Sequence, residues 1–131
     1  MKLTAIIEKG SDGGFTVYSK EYDFIIGSGW SKEEAIADFG SALEELSEFY
    51  KERDGKYPKW ANAEIEYKYD IAAFFQSFPF INVSKFAEFV GINPSLMRKY
   101  KNGIAYASPK QLEVIQNGLT SMVNQLHSVR L

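Results

Sequence analysis

Residues 83–100, Val-Ser-Lys-Phe-Ala-Glu-Phe-Val-Gly-Ile-Asn-Pro-Ser-Leu-Met-Arg-Lys-Tyr, decide how the C-terminal half of this chain folds. The apolar spacing predicts two short helices, over 83–91 and 94–102. Phe86, Ala87 and Val90 form the apolar face of the first, and Leu96, Met97 and Tyr100 that of the second. Gly91 suits the left-handed residue that ends a helix, and Asn93-Pro94 is a cap followed by proline at the first helical position. Ala87 is small, as the crossing point of two closely approaching helices requires, and Gly103 stops the second helix after Lys101-Asn102. Such a pair is a helix-turn-helix, with Ala87, Gly91 and Met97 as its structural positions. The second helix of such a pair typically enters the major groove of DNA.

Working outward, the charges divide along the chain. Of 15 basic and 17 acidic residues in 131, residues 1–70 hold nine basic and fifteen acidic, a net of −6. Residues 71–131 hold six basic and two acidic, a net of +4. A segment whose only acids are Glu88 and Glu113, with Arg98, Lys99 and Lys101 on its second short helix, suits a polyanion.

The pattern also changes character near Asp70, so two small domains are expected: residues 1–69, β-β-β-α-β, and residues 70–131, all helical. The fold class is therefore α+β. Leu3, Ala5 and Ile7 alternate with Lys2, Thr4 and Glu8 in a first strand. Residues 10–14 (Gly-Ser-Asp-Gly-Gly) turn into a second strand, Phe15–Ser19, and Asp23–Ser28 reads as a third. Gly13-Gly14 and Gly27-x-Gly29 lack a phosphate-binding fingerprint and are expected to be turns. Ser31-Lys32-Glu33-Glu34 is a capping box opening a long helix, with Ala35, Ile36, Phe39, Leu43, Leu46 and Phe49 as its buried stripe and Glu44, Glu45, Glu48 and Glu52 facing water. Asp54-Gly55 ends it. Ala63, Ile65, Tyr67 and Tyr69 alternate as a fourth strand.

Beyond it, Ile71–Phe78 reads as a helix stopped by Pro79. Ser108-Pro109-Lys110-Gln111 opens another, carrying Leu112, Ile115, Leu119, Met122 and Leu126, with a possible break at Gly118. Trp30 and Trp60 are expected to be partly exposed, as suits a protein partner.

Several chemistries find little support. The chain has no cysteine, hence no disulfide framework or thiolate metal site. Its single histidine, His127, lies in a helical segment without a nucleophile in its pattern. Asp12 and the helical glutamates do not fall at corresponding positions on adjacent strands, as a two-metal nuclease would need. No catalytic residue, metal or cofactor is expected. No stretch approaches a membrane span, and the run Leu3–Ile7, broken by Glu8, is too short for a signal peptide, so a cytoplasmic location is expected.

Taken together, Asp12-Gly13-Gly14-Phe15, Gly27-Ser28-Gly29-Trp30-Ser31 and Glu33-Glu34-Ala35 resemble HicB-type antitoxins, and the element order is similar to that family's partial ribonuclease-H-like domain. Residues 83–103 resemble the Cro/λ-repressor type of helix-turn-helix that some HicB proteins carry. The resemblance implies an antitoxin of a HicA/HicB-type system, whose residues 1–69 occlude an mRNA-cleaving HicA-like toxin and whose residues 70–131 repress its own operon. It also implies a homodimer or higher homo-oligomer on operator DNA. The alternative is a stand-alone regulator whose N-terminal domain serves oligomerisation or ligand sensing. Either way the expected DNA contacts are the same. Ser84 and Lys85 would reach phosphates, Pro94 and Ser95 would lie at base edges, Arg98 and Lys99 would donate to guanine, and Lys101 and Asn102 would reach the flanking backbone.

Overall fold

In the computed structural model, which describes residues 1–131, the chain forms two compact units, Met1–Ser77 and Phe78–Leu131. Alternation in the first segment becomes strand β1 (Lys2–Lys9), whose Leu3, Ala5 and Ile7 are fully buried. A turn at Gly13 (φ 89°) returns the chain into β2 (Phe15–Ser19), antiparallel to β1 with Ile7 opposite Val17. Strand β3 (Ile26–Gly29) pairs antiparallel with β2. Helix α1 (Lys32–Asp54) then crosses to β4 (Glu64–Tyr69), which lies parallel to β1 with Lys2 opposite Glu64. The sheet order is β3-β2-β1-β4. A parallel partner for β1 cannot be reached by a tight turn, and the α1 crossover supplies the length.

The third strand begins later than Asp23. Ser19 Oγ accepts from the Tyr22 amide (3.0 Å), and the Ser19 amide donates to the Ile25 carbonyl (3.0 Å). These bonds fold residues 20–25 into a loop, and Ile25 is buried from within it, so the apolar run reflected a packed turn rather than strand. Gly27 and Gly29 lie within β3 instead of forming a turn. A Cβ on Gly27 would stand 2.6 Å from the Phe39 Cα, and one on Gly29 2.8 Å from the Ala35 amide nitrogen. The glycines let the backbone of α1 lie directly on β3.

Ser31 caps α1 by accepting from the Glu34 amide, while the Glu34 carboxylate accepts from the Trp30 amide; Gly55, at φ 78°, ends it. Ala35 and Phe39 are buried, with Ile36, Leu43 and Leu46 packed against the same core. Phe49, expected in that stripe, is exposed, and Ser47 is buried in its place, donating to the Leu43 carbonyl at 2.6 Å. Trp60 is buried rather than exposed: it packs with Tyr22, Phe24 and Tyr50 at ring-centroid distances of about 6 Å, where edge-on contacts are favourable. Trp30 is exposed, as its glycine neighbours suggested.

Helix α2 (Ile71–Ser77) was expected to open the helical half, yet it packs on β1 and β4, and Ala73 joins the core of the sheet. The first unit therefore extends past residue 69 to Ser77. The second unit contains α3 (Val83–Val90), α4 (Pro94–Lys101) and α5 (Pro109–His127), with Phe86, Ala87, Ile92, Met97, Tyr100 and Ile115 buried. Helix α5 runs unbroken through Gly118. A Cβ there would stand 2.7 Å from Val90 Cβ, so the glycine is where α5 crosses α3. No helix is long and apolar enough to cross a membrane.

Candidate nucleic-acid interface

Local chemistry sets the geometry of α3 and α4. Asn82 Oδ1 accepts from the Lys85 amide (2.9 Å) and caps α3. Gly91 takes φ 84°, and its amide donates to the Ala87 carbonyl (2.9 Å), which also accepts from the Ile92 amide (2.9 Å). The left-handed residue reverses the chain and lets Ile92 turn inward to burial. Asn93 Oδ1 then accepts from the Ser95 and Leu96 amides (2.8 and 3.3 Å), and Pro94, which has no amide hydrogen to satisfy, fills the first helical position. Ala87 and Met97 are both fully buried.

Three of the expected contact residues come together. Arg98 Nη1 donates to Ser84 Oγ (2.8 Å) and Nη2 to Ser95 Oγ (3.1 Å), so one guanidinium ties the start of α3 to the first turn of α4. A guanidinium carries five N–H donors, so this arrangement fixes its plane and leaves donors for an incoming acceptor. Ser95, Arg98, Lys99 and Lys101 are exposed on α4, and exposed Asn102 ends the helix with its amide donating to the Arg98 carbonyl (3.0 Å). Pro94 is half-buried and offers little edge for a base contact. Lys85 is exposed, with its ammonium 3.8 Å from Glu88, a pairing that a phosphate would have to displace.

The joining of Ser84 to Arg98 across fourteen residues was not visible in the sequence, whereas the Ser95–Arg98 spacing of three is a same-face helical pair. The loop after α4 carries no periodic pattern beyond the Gly103 stop. Gly103 takes φ 71°, and Ile104 and Ala105 donate back to the Lys99 carbonyl, leaving Ile104 and Tyr106 prominently exposed beside the basic helix.

The first unit presents a different surface. Ser41, Glu44, Glu45, Glu48, Phe49 and Glu52 line a shallow groove along α1. Tyr57 Oη donates to the Glu48 carboxylate (2.7 Å), and the Lys51 ammonium lies 4.5 Å from the centre of the same ring. This is an acidic ridge with an exposed aromatic in it. Asp12, considered above for metal chemistry, instead accepts from the Gly14 amide (2.9 Å) and shapes the β1–β2 turn. No three His, Asp or Glu side chains converge in a way that would hold a metal ion. No family model, curated protein or solved structure matches this chain.

Proposed function

We propose that the chain is a DNA-binding repressor that reads its operator through α4, and that the acidic first unit binds a basic protein partner, as a HicB-type antitoxin would bind its HicA-like toxin. The observation that carries the DNA reading is the Arg98 guanidinium held by Ser84 and Ser95 on an exposed basic helix. A pre-oriented arginine loses less freedom on binding guanine or phosphate than a loose one. The net charge of +4 in the second unit favours the same partner, since α2 carries no charge and the unit boundary at Ser77 leaves the sum unchanged. Support for the protein partner is the Glu44–Glu52 ridge with Phe49 exposed within it, a charged rim around an apolar anchor. Inhibition by this route is occlusion, because the proposed role asks no bond-making of this chain.

Fluorescence anisotropy on the DNA upstream of its own gene should give binding that weakens steeply with salt. Arg98→Ala with Lys99→Ala should abolish sequence-specific binding while the circular dichroism stays unchanged. Binding at parental strength by that folded variant would remove α4 from the proposal. For the partner, the expected outcome is a small basic toxin encoded beside this chain, whose growth arrest is rescued by co-expression of the chain. Charge reversal at Glu44 and Glu48 should weaken that rescue, and the absence of any such toxin would remove the partner from the proposal.

A further inference from the structure

The β1–β2 turn and the end of β3 frame a pocket of about 200 Å³, apart from both the basic helix and the acidic ridge. Asp12, Thr16, Ser28 and Trp30 are among its lining side chains, with Gly14 and Gly29 between them. Gly14 keeps its centre open. A Cβ there would stand 3.2 Å from Asp12 Oδ1, 3.2 Å from the Gly29 carbonyl oxygen and 3.5 Å from Trp30 Cε3. A carboxylate, a carbonyl and an indole thus converge on one spot. Asp12 Oδ1 accepts from the Gly14 amide (2.9 Å), which holds the carboxylate in place and leaves its second oxygen for a ligand. The Trp30 side chain is 72% exposed, and no lysine or arginine lines the pocket.

We propose that this pocket receives the guanidinium of an arginine on a protein partner, stacked on Trp30 and donating to Asp12 and the Gly29 carbonyl. The chemistry of the lining asks for a cationic donor: a carboxylate and a carbonyl only accept, and the face of an indole attracts positive charge. The first unit, at a net −6, favours the same sign. Size asks for a side chain, since pockets that take small molecules run to about 300–1,000 Å³. An added strand is disfavoured at this edge of the sheet, because its outward amides are taken. Ser28 donates to the Asp38 carboxylate (2.8 Å) and Trp30 to that of Glu34 (2.9 Å). Between the two cationic side chains, a planar guanidinium can stack and donate at once, whereas an ammonium is a point charge.

The pocket gives the basic partner proposed above a second anchor, and it rests on that reading only for the partner's class. Guanidinium binding is measured on this chain alone, so its failure would leave the ridge of α1 standing. Failure of the growth rescue would likewise leave the pocket standing.

The probe is arginine blocked as its N-acetyl methylamide, titrated into the full chain and followed by heteronuclear NMR. The Trp30 indole and Gly14 amide signals should shift saturably in the millimolar range, while the indole of buried Trp60 stays in place. The citrulline analogue, equal in shape but uncharged, should bind at least about tenfold more weakly, having lost the charge-assisted hydrogen bonds. Asp12→Asn keeps an acceptor for the Gly14 amide without the charge, and should weaken binding by about fivefold or more. Trp30→Leu, at an exposed position, serves if that variant fails to fold, and should weaken binding several-fold as read at the Gly14 amide. No saturable shift, equal binding of the citrulline analogue, or folded variants that bind like the parent would overturn the proposal. So would free L-arginine binding at least about tenfold tighter than the blocked form, which would assign the pocket to a small molecule.

Discussion

At the scale of single residues, Gly118 shows how a helix rule inverts in context. In an exposed helix, Gly→Ala gains about 1 kcal/mol. Here the added carbon would strike Val90, so Gly118→Ala should lower stability by about 1–3 kcal/mol, as overpacking does. Trimming Val90 to Ala in the same chain should recover much of that loss, a coupling that urea titration of the four proteins would measure. Two independent, additive effects would refute the crossing. Asp70 carries a different conflict. Its Oδ1 accepts from the Ala73 amide at 2.6 Å, capping α2, while burial pushes its carboxyl above the usual value. A raised value means the folded chain holds the proton more tightly, so the stabilisation is complete below about pH 4 and lost as pH rises through the folded value. Asp70→Asn keeps the acceptor without the charge. At pH 7 it should be at least as stable as the parent, with the advantage vanishing in acid. Asp70→Ala should cost about 1 kcal/mol from the lost cap. Equal losses from both substitutions at pH 7 would refute this account.

Among the elements, those with local causes were legible before any coordinates. Ser31, Asn93-Pro94 and Ser108-Pro109 announced helix starts, and Gly55 and Gly91 announced ends, because caps are decided by neighbours in sequence. What depended on distant partners was not. Ile25 reads as strand but packs from a loop; Phe49 continues a helical stripe but lies beyond the core; Trp60 looked exposed until Tyr22, Phe24 and Tyr50 met it. At the candidate interface, the exposed cations of α4 were legible, whereas the Ser84 bond to Arg98 needed the two helices to be packed. Helix α2 is the plainest case, since its apolar residues say that it packs but not on what. A fragment ending at Ser77 should therefore melt cooperatively, whereas one ending at Tyr69 should melt several degrees lower or not fold, having lost the cover that Ala73 gives β1 and β4. Identical melting curves would mean that α2 contributes nothing to the first unit.

For the whole molecule, the proposed division of labour follows the division of charge. The acidic unit carries −6 and the basic unit +4, so opposite partners can be addressed by one chain whose overall net charge is only −2. The two units also differ in the reach of their contacts. Helices α3, α4 and α5 meet neighbours close in sequence, whereas β1 must wait for β4, with Lys2 opposite Glu64. Closing so long a loop is entropically slow, and helical packing is fast. On the ribosome this has a consequence of timing. The first strand to emerge stays without its parallel neighbour until residues 64–69 have left the exit tunnel, so most of the first unit must be synthesised before its sheet can close. The helical unit needs no such delay and can fold as its last turns appear. The strand made first is thus completed by a segment made much later, and a stalled or truncated product, even with β2 in place, would present the other edge of β1 unpaired, marking it for chaperones or proteases rather than for use.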